Sequence, residues 1–149
     1  MGLDLYLVKN TGIEKNEDTE VELCYGRKTW NIAYFFQRGS EPIYPDSDYL
    51  YRVPFETWND FVKYVDRALD KLDHDGYEIY DLIDKYEDGV CDDKENEALQ
   101  RFVEGLLDIY PALDYAWEAR AILDWADKDL EVCEAYDEAP EDIYLIMSY

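Results

Sequence analysis

Carboxylates are the side chains through which this chain could act, and their spacing says more than their number. Near the end of the chain, Asp127, Glu131, Glu134 and Glu138 follow one another at intervals of four, three and four residues. On a helix that spacing places all four in one row. Asp66, Asp70 and Asp73 form a second row, and Glu78, Asp81, Asp84 and Asp88 a third. Each like-charge pair one turn apart costs roughly 0.2–0.5 kcal/mol, so such rows weaken the helices that carry them. A face meant only for solubility would interleave lysines at the same positions. Duplex DNA carries one negative charge per ~1.7 Å of axis. Carboxylate rows on neighbouring helices approximate such a field. The expected partner is therefore a basic, nucleic-acid-binding protein, met through Asp66, Asp70, Asp73, Glu78, Asp81, Asp127, Glu131, Glu134 and Glu138. Direct contact with nucleic acid or with an anionic membrane is disfavoured by the same charge.

A second chemistry is cation binding. The segment Asp84-Lys85-Tyr86-Glu87-Asp88-Gly89-Val90-Cys91-Asp92-Asp93-Lys94-Glu95 resembles a degenerate EF-hand calcium loop. Counted from Asp84, it has Asp at the fifth position, Gly at the sixth, Asp at the ninth and Glu at the twelfth. Asp84, Asp88, Asp92 and Glu95 are the candidate ligands for Ca2+. Tyr86 stands where a third carboxylate belongs, and a Gly-broken turn between two helices explains the same residues without metal. Asp73-His74-Asp75-Gly76 fails both end positions of the template and is set aside.

Catalysis finds little support. His74 is the only histidine, and nothing near it in sequence is a nucleophile. The serines, Ser40, Ser47 and Ser148, lie in no elbow motif. No glycine-rich phosphate loop occurs, and among 37 acids no acid/base pair singles itself out. The expectation is a binding protein, not an enzyme. Cys24, Cys91 and Cys133 are an odd number without a CxxC pair, which reads as packing residues of a reducing compartment. The first residues do not look like a secretion signal, and no apolar run approaches the roughly 18 residues that cross a bilayer. A cytoplasmic location is expected.

The elements that must carry these residues follow from periodicity. Leu3, Leu5 and Leu7 alternate with Asp4 and Tyr6, the pattern of a half-buried strand, and residues 21–25 alternate again. Gly26 marks a change of period, after which Trp30, Ile32, Ala33, Phe35 and Phe36 suit a buried helix. Residues 40–48 read as a loop and Tyr49–Val53 as a short strand. Beyond Pro54 the pattern is helical. One helix runs through Trp58, Phe61, Val65 and Leu69, a shorter one lies between Gly76 and Gly89, and a third passes through Ala98, Phe102 and Leu106. A long final helix follows Pro111 and runs through Trp117 to Cys133. Residues 143–147 close the chain as a strand that returns to the first two. The prediction is one α+β domain over residues 1–149, a small antiparallel sheet of N-terminal strands and the C-terminal strand packed with four or five helices.

The total balance is 37 Asp plus Glu against 14 Lys plus Arg, a formal charge of −23 in 149 residues. With 15 Tyr, 4 Trp and 5 Phe this is a folding sequence, not a disordered acidic tail. The acids crowd into residues 56–142, whereas adaptation to high salt would spread them evenly. The least acidic stretch is residues 25–36. In it Arg27 and Lys28 precede a helix, where cations oppose the helix dipole. An internal acidic partner or a binding patch would account for them. Exposed tyrosines at Tyr77, Tyr136 and Tyr149 are candidates for a homodimer contact.

The opening Met1-Gly2-Leu3-Asp4-Leu5-Tyr6, the Tyr25…Arg27-Lys28…Ile32…Phe36 pattern and Tyr51…Val53…Glu56 together resemble a family of small phage and prophage proteins of unassigned function. The resemblance covers about the first 70 residues. Members of that family often carry His one residue after the Ile, where this chain has Ala33. A phage setting implies an inhibitor of host defence, of the anti-CRISPR or anti-restriction type, that works as a nucleic-acid mimic. Alternatives left open are a structural or cation-binding interaction protein and a phage protein without mimicry.

Overall fold

The computed structural model describes residues 2–13, 17–44, 49–107 and 111–148. Five strands and six α-helices are found among them, in an α+β arrangement as the periodicity predicts. The strands are β1 (Asp4–Asn10), β2 (Glu20–Arg27), β3 (Glu41–Pro42), β4 (Leu50–Arg52) and β5 (Ile143–Ser148). They form one sheet in the order β2-β1-β5-β4-β3, antiparallel throughout. The C-terminal strand thus inserts between the first strand and β4, which ties the two ends of the chain together.

Alternation sorts the sheet into two faces. Cys24, Leu7, Leu145 and Tyr51 lie side by side across four strands, and all are buried. The next row, Tyr25, Tyr6, Ile146 and Leu50, points the other way and is partly exposed. Helices α1 (Trp30–Arg38), α2 (Phe55–His74), α5 (Tyr115–Ala126) and α6 (Asp129–Glu138) contribute to a core shared with the inner row. Its centre is aromatic. Phe36 stacks on Trp58 at 6.0 Å and meets Trp125 at 5.6 Å and Phe61 at 5.2 Å, and each such pair adds about 0.5–1.5 kcal/mol beyond its buried area. Helices α3 (Ile79–Glu87) and α4 (Asp93–Glu104) pack beside α5 farther from the sheet.

Several expectations need correction. The final helix is two helices, broken at Asp127-Lys128. No glycine or proline forces that break. Tertiary contacts hold α6 in its own direction: Trp58 Nε1 donates to Asp129 Oδ1 at 2.7 Å, and Tyr136 donates its hydroxyl to the Val53 carbonyl at 2.8 Å. Tyr136 is accordingly buried, not an exposed dimer contact, and Tyr77 is half-buried. Tyr149 lies outside the described residues, as do parts of the two expected loops. Gly26 does not end the strand, because β2 runs on to Arg27. Two residues of the 40–48 loop pair with β4 as β3.

Candidate functional site

The three carboxylate rows meet different fates. Asp66, Asp70 and Asp73 are exposed on α2, and none forms an ion pair among the described residues. On α3, Glu78 is the N-cap, accepting from the amides of Tyr80 and Asp81 at 3.1 and 2.8 Å. Asp81 pairs with Lys85 at 3.3 Å, and Arg120 of α5 bridges Asp84 at 3.2 Å and Glu87 at 2.7 Å. The last row is divided by the helix break. Asp127 is the C-cap of α5, while Glu131, Glu134 and Glu138 stay together on α6. Lys9 binds Glu138 at 2.7 Å and holds its carboxyl below the ordinary value. Lys128 lies 4.0 Å from Glu131. The row on α2 is therefore without an ion pair among the described residues, whereas the other two are partly paired with cations.

Of the four candidate ligands in the calcium-like segment, Asp84, Asp92 and Glu95 have side chains engaged in other contacts. Asp84 lies inside α3, and only residues 88–92 separate α3 from α4. Asp92 caps α4, accepting from the Glu95 amide at 2.8 Å, and Glu95 returns the contact to the Asp92 amide at 3.1 Å. This capping box satisfies two otherwise orphaned donors. The other Glu95 oxygen binds Lys85 at 2.8 Å, and these bonds depress its pKa. Asp88 sits at the C-cap of α3, pointing its backbone amide to the Asp84 carbonyl. Among the described residues no group of three or more His, Cys, Asp or Glu side chains converges on one point as a metal site.

Cations gather in two places. A cleft of about 700 Å³ between α2 and α4 is lined by Arg67, Lys71, Lys94 and Arg101 together with Tyr64 and Tyr77. The other place is the corner where β2 turns into α1. The turn is tight: a side chain at Gly26 would come within 2.8 Å of Thr29 Oγ1 and 3.2 Å of Trp125 Nε1, whose N–H donates to the Tyr25 carbonyl at 3.1 Å. Lys28 takes φ 56, the left-handed region, while its amide donates to the Leu3 carbonyl at 2.7 Å. For a residue with a side chain this conformation costs roughly 1–2 kcal/mol. Helix α1 starts without a side-chain cap and without an acid in its first turn.

The missing cap comes from far along the chain. Glu118 Oε1 accepts from the Asn31 backbone N–H at 2.8 Å and from Asn31 Nδ2 at 3.0 Å. Glu118 is 3% exposed, and burial pushes its carboxyl above the ordinary range against the lowering effect of those two bonds. Asn31 Oδ1 and Thr29 Oγ1 are buried without a hydrogen-bond partner among the described residues. Around Glu118 opens a cavity of about 610 Å³, walled by Arg27, Lys28, Trp30, Leu113, Asp114 and Trp117. Trp117 is fixed by a hydrogen bond from Nε1 to the Arg27 carbonyl and by the Asp114 cap of α5 on its amide. Neither Arg27 nor Lys28 forms an ion pair among the described residues, and the carboxylates that share their cavity are Asp114 and Glu118.

Sequence reasoning flagged Arg27 and Lys28 and missed Glu118. A signal was present. Glu118 lies four residues before Ile122 and seven before Trp125, inside the apolar stripe of α5, where an acid calls for a buried partner.

The cysteines show no sign of activation. Cys24 is buried and its thiol is pushed well up by burial, and Cys133 is raised to about 11 by burial and its bond to Asp129. Among the described residues no helix is long and apolar enough to cross a membrane. No family model matches the chain, and neither the curated proteins nor the solved structures compared with it give a match.

Proposed function

We propose that this chain is an acidic interaction protein that engages the basic groove of a cytoplasmic nucleic-acid-binding protein, in the manner of a phage-type decoy of nucleic acid. The observation that carries the reading is the α2 row. Asp66, Asp70 and Asp73 project from a 20-residue helix and form no ion pair among the described residues, although Lys63, Arg67 and Lys71 lie on the same helix, in a chain of charge −23. Glu134 on α6 extends the unpaired set, whereas the carboxylates of α3 are tied to Lys85 and Arg120 and contribute less. Such a surface would displace the counterions of a cationic groove as a phosphate backbone does.

The test is inhibition of DNA cleavage by a panel of restriction and RNA-guided nucleases, with wild type compared against the triple substitution Asp66→Asn, Asp70→Asn, Asp73→Asn. Inhibition should weaken steeply between about 50 and 200 mM salt and should drop in the triple variant. Inhibition that is indifferent to salt, or equal in the triple variant, would refute the proposal.

A further inference from the structure

We infer that the cavity at the β2–α1 corner is a binding site for a nucleoside monophosphate, a flat heterocycle carrying a single phosphate. Each wall supplies one part of that recognition. Trp30, which also stacks on Tyr34 at 5.9 Å, and Trp117 both line the cavity, and indole rings take up planar rings with little regard to their sequence of heteroatoms. Leu113 is 97% exposed and Trp117 48%, an apolar rim left uncovered among the described residues. Arg27 and Lys28 stand beside them as a pair of adjacent cations.

The absence of an ion pair does not by itself single them out, because Arg38, Lys63, Arg67, Lys71 and Lys94 also form none among the described residues. What sets Arg27 and Lys28 apart is that they share one cavity with the buried Glu118 and that Lys28 is held there in a strained left-handed conformation. Strain of that kind persists where the surroundings enforce it, and it collects at ligand sites. A fork of guanidinium donors next to an ammonium suits a phosphate.

The floor adds a polar reader. Glu118 Oε1 is occupied by Asn31, and its Oε2 has no protein hydrogen bond among the described residues. That oxygen can meet an amino or ring N–H on the edge of a base. The volume lies within the roughly 300–1,000 Å³ typical of small-ligand sites. Two competing ligand classes fit less well. A cationic ligand would meet Arg27 and Lys28 and find the two carboxylates of the cavity already accepting protein hydrogen bonds, Asp114 from the Trp117 amide and Glu118 from Asn31. A nucleic-acid strand would bring many phosphates against a chain of −23. One phosphate on one ring meets both constraints. The site does not depend on the α2 carboxylates, so it stands or falls separately from the partner proposed above.

The experiment is titration of the full chain with AMP, GMP, CMP and UMP, followed by tryptophan fluorescence and calorimetry. Adenosine and inorganic phosphate serve as separate arms. Trp58 and Trp125 are buried, so ligand quenching reports on Trp30 and Trp117. At least one monophosphate should bind saturably, with adenosine and phosphate each about tenfold weaker or more. The double substitution Arg27→Ala, Lys28→Ala, at exposed positions, should remove the advantage of the monophosphate over the nucleoside. Glu118→Gln, which keeps an acceptor for Asn31, should alter the ranking among the four bases. The inference fails if none of the four binds saturably, if phosphate alone binds as well as the monophosphates, or if the double variant binds unchanged.

Discussion

Replacing Glu118 by alanine should cost this fold more than almost any other exchange of a charged residue. The side chain is 3% exposed and its Oε1 is the shared acceptor for the backbone N–H and the Nδ2 of Asn31, itself fully buried. Truncation strands both donors, each of which costs about 1–3 kcal/mol when unsatisfied. Relief from burying a carboxylate offsets part of that, because burial already works against the charged form. The net loss should be about 2–4 kcal/mol. Glu118→Gln keeps the acceptor and removes the charge, so it should cost no more than about 1 kcal/mol. The pH dependence carries a definite sign. A carboxyl whose pKa is raised on folding stabilises the folded state fully below its unfolded value, 4.5 for Glu, and that contribution fades as pH rises through the folded value. The stability of Glu118→Gln relative to wild type should therefore increase as pH climbs from 4.5 toward neutrality. Urea unfolding at several pH values, followed by the buried Trp58 and Trp125, measures both effects. A loss below about 0.5 kcal/mol for the alanine variant, or a glutamine variant as unstable as alanine, would refute the capping role of Glu118.

Three further substitutions test how the acidic helices begin and end. Gly76 follows α2 at φ +86 with nothing within 4 Å of a built Cβ, so Gly76→Ala should cost about 1 kcal/mol through backbone strain alone, read as a lowered Tm. Asp92→Ala should lose about 1 kcal/mol by opening the capping box of α4, while Asp88→Ala at the C-terminus of α3 should be neutral or slightly stabilising in the same denaturation assay.

What the chain reveals before folding depends on how local each cause is. The strand through Leu3, Leu5 and Leu7 and the stripe through Trp58, Phe61 and Val65 were legible, because burial on one side of a regular element repeats in sequence. The break at Asp127-Lys128 was not. The helical spacing continues across it, and the reason for the turn is a hydrogen bond from Trp58, 71 residues away. The carboxylate rows were legible as rows, but their neutralisation was not, since Lys9 and Glu138 are 129 residues apart. Arg27 and Lys28 stood out because their placement opposes a local rule about helix ends. Glu118, 87 residues from Asn31, became the cap of that helix only through folding.

In a chain this acidic, the scarce cations are the more discriminating residues. Lys9 fastens the sheet to α6, Lys85 joins α3 to α4, and Arg120 joins α3 to α5. Each does so by spending its charge on a carboxylate from another element. In the two proposals above, Arg27 and Lys28 beside the buried Glu118 would receive an outside anion, and the aspartates of α2 would meet an outside cation. The two surfaces should answer salt differently. Binding through many exposed carboxylates releases many ions and falls steeply as the Debye length shrinks to about 10 Å at 0.1 M. A single phosphate held by Arg27 and Lys28 beside two indoles gains much of its affinity from stacking, which salt does not screen. A steep salt slope for a protein partner together with a shallow one for a monophosphate is what this division of charge requires. Equal slopes would mean that both contacts draw on one diffuse field, and that the placement of Arg27 and Lys28 confers no site of its own.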